Sequence, residues 1–242
     1  METVAGEWIM KGCRRSDPEC LHSPEELLAL VREIGFLPLF SNSIPGFSVE
    51  ELTPSADWWT GSPLDPWDWR QVLAPHPEIA YGKFFDRKAG FVSRDWFPRF
   101  ANYRRDGYDW EGMYEDGLMS ARCRRILDVL GLDENAVGRP LLSGELRKLA
   151  SVEKGFEGAL TDLQMKSFLI MSDFRRRRNR HGEEYGWHVA ELMTPETKWG
   201  YDAVNACNEK PAESWRRISE QVRKYRPMAG DAEIRKVLGI RY

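Results

Sequence analysis

The chain has 242 residues, enough for one large domain or two small ones. Its formal net charge is −3, so a polyanionic partner must meet a local basic patch rather than a globally basic surface. Hydrophobic residues make up 42% of the chain and ten residues are tryptophan, which excludes the class of disordered proteins.

Motifs for cofactors, metals and membranes are missing from the sequence. The cysteines are irregularly spaced, without a C-x-x-C pair or a nearby histidine pair, so we expect reduced structural thiols and no zinc site. There is no nucleotide-binding glycine loop and no H-E-x-x-H motif, so we expect no cofactor. No signal peptide and no apolar run of about 18 residues occurs, so we expect a soluble cytoplasmic protein without a membrane partner. Nothing in the sequence specifies an oligomeric state.

The first half of the chain is predicted to be mainly helical, with one pair of strands. Ser23 followed by Pro24 is typical of a helix start, and Gly35 ends that helix. Asp65-Pro66 starts another helix in the same way. That helix is predicted to end at Leu73. The other predicted helices are a short one at Val49–Leu52 capped by Ser48, one from Arg94 capped by Ser93, and a long one over 109–131. The predicted strands are Ala80–Phe85 and Ala89–Val92.

The second half begins with two helices and a hairpin. Ser143 is predicted to cap a helix over Gly144–Ala150, and a second helix lies near Ala159–Lys166. The strand "SFLIMSDFRRRR", the turn "NRHGEE" and the strand "YGWHVAEL" then form the hairpin. This order is typical of a winged helix, whose second helix can enter a major groove while the hairpin touches phosphate. Helices at Pro211–Tyr225 and Asp231–Leu238 follow.

The predicted hairpin is strongly basic at its tip. Arginine suits phosphate binding, because its planar guanidinium forms paired hydrogen bonds with phosphate oxygens. Two other interpretations stay open: acids such as Asp173, Glu183 and Glu184 neutralise a solvated tip, or the hairpin binds an acidic protein. The candidate nucleic-acid-binding residues, including two lysines on the helices, are Arg175, Arg176, Arg177, Arg178, Arg180, His181, Lys148 and Lys166.

The stretch "DWWTGSPLDPWDW" combines tryptophans with carboxylates. Aromatic walls and carboxylates can hold a base flipped out of DNA, and they can equally form a core with helix-capping acids. The candidate pocket residues are Trp58, Trp59, Trp67 and Trp69, and the candidate catalytic acids are Asp57, Asp65 and Asp68.

Two longer stretches carry a resemblance. In "KFFDRKAGFVSRDWFPRFANYRR", the residues Phe84-Phe85, Ala89, Val92, Trp96 and Pro98 match in kind and order a segment reading E-Y-W-x-H-E-A-x-x-V-P-x-x-x-W-P. From Gly138 to Leu192 the chain is similar to a winged helix that starts G-P-L-(T/S) and ends Y-D-L. Both patterns belong to the AlkZ and YcaQ winged-helix DNA glycosylases, which the chain resembles from Pro24 to about Leu192. The resemblance implies tandem winged helices with a concave basic surface for duplex DNA, and metal-free hydrolysis of N-glycosidic bonds to alkylated or cross-linked bases.

The chain departs from that family at the expected catalytic pair. The resemblance implies Q-x-Q or Q-x-D after the first helix, but Pro38-Leu39-Phe40 stand there, and proline and phenylalanine cannot activate water. Ser41 and Asn42 follow, and Asn42 is a further pocket candidate; Arg87 replaces a family histidine. The family's catalytic residues are therefore not carried over. Either the chain binds DNA without glycosylase chemistry, or one of the tryptophan-flanked carboxylates does the work.

The sequence thus predicts an α+β, mostly helical protein with tandem winged-helix units and small β-hairpin wings. The predicted regions are an N-terminal winged-helix-like, tryptophan-rich region at 1–137, a winged helix with an arginine-rich wing at 138–195, and a helical tail at 196–242. The predicted function is binding of duplex DNA by a relative of DNA-repair glycosylases that lacks their catalytic residues. The alternatives are a base-excision glycosylase for alkylated bases with an altered active site, and a protein-interaction module that uses the basic wing.

Overall fold

The computed structural model describes residues 2–4, 7–131 and 138–240, without the side chains of residues 2–4, 7, 8, 177 and 178. The helices are α1 (Pro24–Ile34), α2 (Pro66–Leu73), α3 (Phe97–Arg105), α4 (Trp110–Glu115), α5 (Ala121–Leu130), α6 (Ser143–Leu149), α7 (Phe156–Met165), α8 (Pro195–Trp199), α9 (Tyr201–Val204), α10 (Pro211–Tyr225) and α11 (Asp231–Leu238), with short 3-10 helices at Glu50–Leu52 and Ser55–Asp57. The strands are β1 (Glu2–Val4), β2 (Glu7–Ile9), β3 (Phe36–Pro38), β4 (Ile79–Phe85), β5 (Lys88–Ser93), β6 (Leu141–Leu142), β7 (Ile170–Arg178) and β8 (Glu184–Met193). The α+β class is confirmed, with more of the described residues in helices than in strands. Within those residues, no helix is both long enough and apolar enough to cross a bilayer.

One antiparallel sheet joins six of the described strands in the order β3-β5-β4-β7-β8-β6. The first hairpin, β4–β5, turns through Asp86 and Arg87, whose φ angles are 46° and 63°. Two consecutive positive φ angles are typical of the turn that matches the twist of a tight hairpin. The second hairpin, β7–β8, meets the first where Tyr81 of β4 pairs with Met171 of β7. The two hairpins therefore form the middle of the sheet.

A similar order of elements occurs twice along the chain, although one α-helix precedes the first hairpin and two precede the second. The sequence α1, β3, α2 and the first hairpin is followed by α5, β6, α6, α7 and the second hairpin. In each half, the strand that precedes the hairpin pairs with the hairpin's second strand: β3 pairs with β5, and β6 pairs with β8. From either edge inward, the sheet therefore consists of the strand that precedes a hairpin, the second strand of that hairpin and then its first strand.

Two hydrophobic cores fill the two halves. The first lies around α1, β3, the first hairpin and α3, and the C-terminal helices contribute Ile218, Val222 and Ile234 to it. The segment 196–240 therefore packs onto the first half. The second core lies between α4, α5, α6 and α7, and it takes side chains from both sides of the predicted boundary at 137/138, such as Leu127 and Leu141.

Contacts between α7 and the first hairpin hold the halves together. The Gln164 side chain is 1% exposed, and its Oε1 accepts a hydrogen bond from the backbone N of Lys83 at 2.8 Å. Arg87, in the turn of the first hairpin, pairs with Asp162 at 2.7 Å. Because a buried polar group without a partner costs free energy, Gln164 fixes the position of β4 against α7.

Several predicted helix ends are confirmed. The Oγ of Ser23 accepts from the backbone N of Glu26 at 3.2 Å, and the chain leaves α1 at Gly35 with φ 96°. Asp65 caps α2 through the backbone N of Trp67. The predicted bounds of α10 and α11 are those observed.

Other predicted elements are wrong in detail. Ser93 is the last residue of β5 rather than a cap, and α3 begins only at Phe97, after a turn. The predicted long helix over 109–131 is two helices, because the chain reverses at Gly117 with φ 73° and Ser120 caps α5 anew. Ser143 is the first residue of α6 rather than its cap, and α7 starts earlier than predicted.

Candidate nucleic-acid interface

Asn179 organises the tip of the second hairpin. Its Oδ1 accepts hydrogen bonds from the backbone N of His181 at 2.8 Å and of Glu183 at 3.1 Å. Its Nδ2 donates to the Glu183 carboxylate at 2.9 Å. Asparagine often closes turns in this way, since its short amide reaches backbone groups two residues ahead. The Glu183 carboxylate is thus held by the turn rather than by an arginine.

The arginines of the second hairpin have different partners. The Nε of Arg175 lies 3.2 Å from Asp173 and 3.4 Å from Glu191, so two carboxylates neutralise it at the base of the hairpin. Arg176 is exposed, and no ion pair with it occurs among the described residues. Arg180 is exposed at the tip, where its Nε donates to the Nε2 of His181 at 3.1 Å. Arg176 and Arg180 therefore present charge to solvent.

Two of the predicted arginines are described by their backbone atoms alone. The backbones of Arg177 and Arg178 continue β7, in register with Tyr185 and Glu184. Their guanidinium groups lie outside the described part of the structure.

The two predicted lysines lie on different surfaces. Lys148 is exposed in the last turn of α6. Lys166 follows α7 and borders a cavity of about 380 Å³, together with Cys123 and Lys236. Burial lowers the pKa of Lys166. No recorded contact joins either lysine to the arginines of the hairpin within the residues described.

The helix α7, the second helix of the predicted winged helix, is largely buried. Its buried residues include Thr161 and Gln164, and the first hairpin covers that face through Lys83. Near the start of the helix, Glu157 and Gly158 are exposed, and they bring no positive charge. Exposed positive charge therefore lies on the second hairpin rather than on α7.

The tryptophan group is an aromatic cluster beside α2. Trp58 and Trp69 are buried, and their Nε1 atoms donate to Thr53 Oγ1 at 2.9 Å and to the carbonyl of Pro63 at 3.0 Å. Trp59 is 44% exposed, with its ring centroid 4.7 Å from that of Trp67. Trp58 and Trp69 are therefore packed core residues, and Trp59 is the exposed part of the cluster.

Arg70 extends the cluster to the second hairpin. Its guanidinium lies 3.8 Å from the ring centroid of Trp67 and 4.1 Å from that of Phe174 on β7. Burial lowers the pKa of Arg70. The buried guanidinium is satisfied in part by the two ring faces, a cation–π arrangement that links α2 to β7.

Each candidate catalytic carboxylate has a structural partner. Asp65 is buried, and its two oxygens accept from the backbone N atoms of Trp59, Gly61 and Trp67 at 2.9 to 3.2 Å. Asp57 forms a two-point ion pair with Arg15 at 2.6 and 2.8 Å. Asp68 accepts from the side chain of Gln71 at 2.8 Å. The three carboxylates thus have different partners, and each of them makes a contact that stabilises the local structure.

Asn42 uses its side chain to close a turn. Its Nδ2 donates to the carbonyl of Phe47 at 2.9 Å, and its Oδ1 accepts from the backbone N of Ile44 at 2.9 Å. It borders a cavity of about 310 Å³ beside Pro38 and Phe40, which also has polar groups from Lys11, Ser41, Ser43, Asp86, Lys88 and Lys236. Asp86 is the acid among the described residues that line this cavity.

One exposed side chain of the second hairpin was not predicted from the sequence. Trp187 is 92% exposed on β8, and the neighbouring Tyr185 is 50% exposed. A signal was present: Gly186 interrupts the strand, and a lone glycine in a strand often marks a bulge. Elsewhere, no group of three or more histidine, cysteine or acidic residues in the described ranges is arranged to hold a metal ion.

Comparison with known proteins gives one match. A family model described as "AlkZ related" matches residues 21–239. No curated protein and no solved structure matches the chain.

Proposed function

Because the chain belongs to the AlkZ-related family, and so is related to DNA-repair glycosylase-like proteins, we propose that it binds duplex DNA through the second hairpin. In this proposal Arg176 and Arg180 contact phosphates, and His181 lies at the same tip. Arg177 and Arg178 continue the basic strand. Phosphate contacts position a protein on DNA without reading its sequence, so we expect little sequence preference.

Two winged-helix units form the proposed scaffold. A winged helix orders its elements as helix, strand, two helices and a hairpin, with the early strand beside the hairpin's second strand. Both halves of the chain support this assignment: β3 pairs with β5, and β6 pairs with β8. In the first half, the 3-10 helix at Glu50–Leu52 stands in for one helix. The second unit then includes α5 as well as residues 138–195, with 196–240 as a helical tail packed on the first unit.

The observation that carries the proposal is the uncompensated charge of Arg176 and Arg180. In a chain of net charge −3, several exposed arginines of other elements pair with acids, as Arg216 does with Glu213 and Glu220, whereas Arg176 and Arg180 belong to one basic run and have no such pair among the described residues. On the second hairpin the acids are engaged elsewhere, since Asp173 and Glu191 neutralise Arg175. Exposed guanidinium groups without acids are suited to paired hydrogen bonds with phosphate oxygens.

We further propose that the chain lacks the family's glycosylase chemistry. Pro38 and Phe40 occupy the positions of the expected polar pair, and Pro38 continues a strand of the sheet. Neither side chain can accept a proton from water. The protein would then recognise DNA and leave its bases in place.

The test of DNA binding is affinity for a short unmodified duplex between about 50 and 200 mM salt, where phosphate contacts dominate the salt dependence. The full-length protein is compared with the double variant Arg176→Ala/Arg180→Ala and with the control Arg216→Ala/Arg223→Ala, which removes the same charge from α10. We expect log affinity to fall with log salt by about 0.9 per phosphate contacted. The hairpin variant should bind more weakly and with a shallower slope, and the control should match the wild type. Equal behaviour of the two variants would remove the hairpin from the interface.

The glycosylase alternative is favoured by one observation. Asp86 lines the cavity beside Pro38 and Phe40, so a carboxylate is present close to where the family has its polar pair. The test is release of alkylated bases from DNA by the wild type and by Asp86→Asn. We expect no release above the protein-free rate. Release that Asp86→Asn abolishes would establish the altered glycosylase instead.

The third alternative is an acidic protein partner. Like the DNA proposal, it depends on the exposed arginines of the second hairpin. Unlike the DNA proposal, it predicts no salt-dependent binding of duplex DNA. If the wild type binds no duplex at low salt, the hairpin is a protein-binding or solubilising element.

A further inference from the structure

The second hairpin contains a bulge on β8. Arg175 pairs with Val189 and Arg177 pairs with Tyr185, so between these pairs Arg176 alone faces Gly186, Trp187 and His188. Gly186 has φ 74°, a conformation that glycine adopts without strain. Bulges commonly change the direction of a side chain, and Trp187 lies within this bulge.

Trp187 is exposed to an extent that packing does not explain. Its side chain is 92% exposed, whereas the most exposed tryptophan of the cluster near α2, Trp59, is 44% exposed. No ring contact, cation–π contact or hydrogen bond of Trp187 is recorded within the described residues. Tyr185, two residues earlier on β8, is also half exposed, so the strand carries two aromatic side chains in solvent. Exposed aromatic patches, unlike single exposed apolar residues, mark surfaces that another molecule covers.

The groups beside Trp187 indicate what kind of molecule covers it. Arg176, which lies opposite in the bulge, is exposed and without an ion pair among the described residues. An exposed ring and an unpaired arginine on the same pair of strands are the combination that nucleic-acid-binding surfaces use, with the ring stacked on a base and the guanidinium on the backbone.

Paired bases offer no free face to such a ring. In an intact duplex each base is covered above and below by its neighbours, so an indole can stack only where pairing has failed or where it separates two base steps. The binding target that matches both groups is therefore a duplex with an accessible base face.

We propose that Trp187 stacks on a DNA base that has lost its partner, so that the protein favours duplexes with an unpaired base over intact duplexes. This inference rests on the proposed function, because Arg176 and Arg180 must bring the hairpin to the backbone. It adds the class of DNA that the same site selects.

The test compares two duplexes that differ by one unpaired 2-aminopurine, a fluorescent base whose emission falls when a ring stacks on it. Full-length wild type, Trp187→Ala and Trp187→Phe are titrated with the bulged and the intact duplex at one salt concentration. The control is Met228→Ala, which removes another exposed apolar side chain, 94% exposed, away from the hairpin. Because Trp187 has no recorded contacts, none of these changes should affect folding, and unchanged circular dichroism checks this.

We expect the wild type to prefer the bulged duplex by roughly 5- to 150-fold, the range that base stacking on an aromatic side chain supplies. Trp187→Ala should abolish the preference and the quenching while it keeps the affinity for the intact duplex. Trp187→Phe should restore part of both, and Met228→Ala should match the wild type.

Two results would overturn the inference, and they are distinguishable from failure of the proposed function. If the wild type binds both duplexes equally, or if Trp187→Ala keeps the preference, the stacking role is wrong while DNA binding stands. If the wild type binds neither duplex at low salt, the proposed function fails and the inference falls with it.

Discussion

Arg175 and Arg176 are adjacent residues with different electrostatic environments. Arg175 is held by Asp173 and Glu191, whereas Arg176 lies opposite the bulge without an acid among the described residues. A charge that is already paired gains less from a phosphate, because the existing pair must be broken first.

We therefore predict unequal effects of two single substitutions on duplex affinity. Arg176→Ala should weaken binding by roughly 3- to 10-fold, since a hydrogen bond to a charged group contributes about 1 kcal/mol or more. Arg175→Ala should weaken it less. Fluorescence anisotropy with a labelled duplex measures both, and a larger loss for Arg175→Ala would show that the ion pairs open on binding.

Lys198 makes the stability of the protein depend on pH. Its Nζ donates to the carbonyls of Ala74 at 2.9 Å and Ile79 at 2.7 Å, and burial lowers the pKa of Lys198 to about 8. Below pH 8, Lys198 is protonated in both the folded and the unfolded state, so the free energy of unfolding is reduced by the full cost of burying its charge. Between pH 8 and the ordinary value of 10.5, the unfolded state binds more protons than the folded state, so stability rises with pH.

The prediction concerns the difference between the wild type and Lys198→Met. Relative to that variant, the wild type should gain free energy of unfolding above pH 8, by at most about 1.4 kcal/mol per pH unit. Burial raises the pKa of Cys13 and of Cys123, so both thiols lower the stability over the same pH range, but they do so equally in the two proteins. Lys224→Met, which changes an exposed lysine on α10, should follow the wild type. Denaturant unfolding between pH 7.5 and about 9.5 measures the difference, and an identical pH dependence of the wild type and Lys198→Met would contradict the role of Lys198.

At the scale of single elements, the end of α1 depends on one glycine. Gly35 has φ 96°, and a Cβ placed on it would lie 2.3 Å from the Trp96 ring. Gly107 also has a positive φ, 81°, but a Cβ there would meet no atom within 4 Å. A substitution at Gly107 therefore adds backbone strain alone, whereas a substitution at Gly35 adds backbone strain and steric overlap.

Gly35→Ala should therefore cost more stability than Gly107→Ala. We expect a loss of about 1 kcal/mol for Gly107→Ala from the backbone alone, and more than about 2 kcal/mol for Gly35→Ala, where strain and overlap add. Thermal and denaturant unfolding measure both. Equal losses would mean that the Trp96 ring moves aside at no cost.

The sequence predicted helix ends wherever a local signal decides them. Ser23, Asp65 and Pro211 start helices as expected, because capping depends on residues within one turn. The break at Gly117 was missed, because the apolar spacing continues across it. The bulge was missed for a related reason: alternation along "YGWHVAEL" indicates a strand, but the register is set by β7.

The candidate site was predictable only in part. The basic run of the second hairpin is visible as composition, and its place on a hairpin was predicted correctly. Which arginine remains unpaired depends on Glu191, which reaches Arg175 only across the folded hairpin. The partners of Asp57 and Asp65 depend on tertiary contacts in the same way.

For the whole molecule, the two halves interlock through buried polar contacts. The Gln164 side chain accepts from Lys83 of β4 and donates to the carbonyl of Leu160 at 3.0 Å. The contact with Lys83 joins residues 81 positions apart in the sequence, so no local pattern predicts it. It also makes the halves depend on each other for stability.

Gln164→Leu should destabilise both halves together, by about 1 to 3 kcal/mol, because the backbone N of Lys83 is left buried without a partner. Tryptophan fluorescence, which reports mainly on the first half, and far-ultraviolet circular dichroism should show one coincident transition. Asp162→Ala, which removes the exposed ion pair to Arg87, should cost less than about 1 kcal/mol. Separate transitions for the two probes would show that the halves unfold independently.

The central claim, that duplex DNA lies on the second hairpin, is tested most directly by hydrogen–deuterium exchange of the full-length protein with and without a duplex. We predict slower exchange in peptides from residues 179–188, which include the tip and the bulge, and no change in peptides from α10. This result would locate the interface without any substitution. Protection confined to other elements, or no protection when the duplex is bound, would contradict the account.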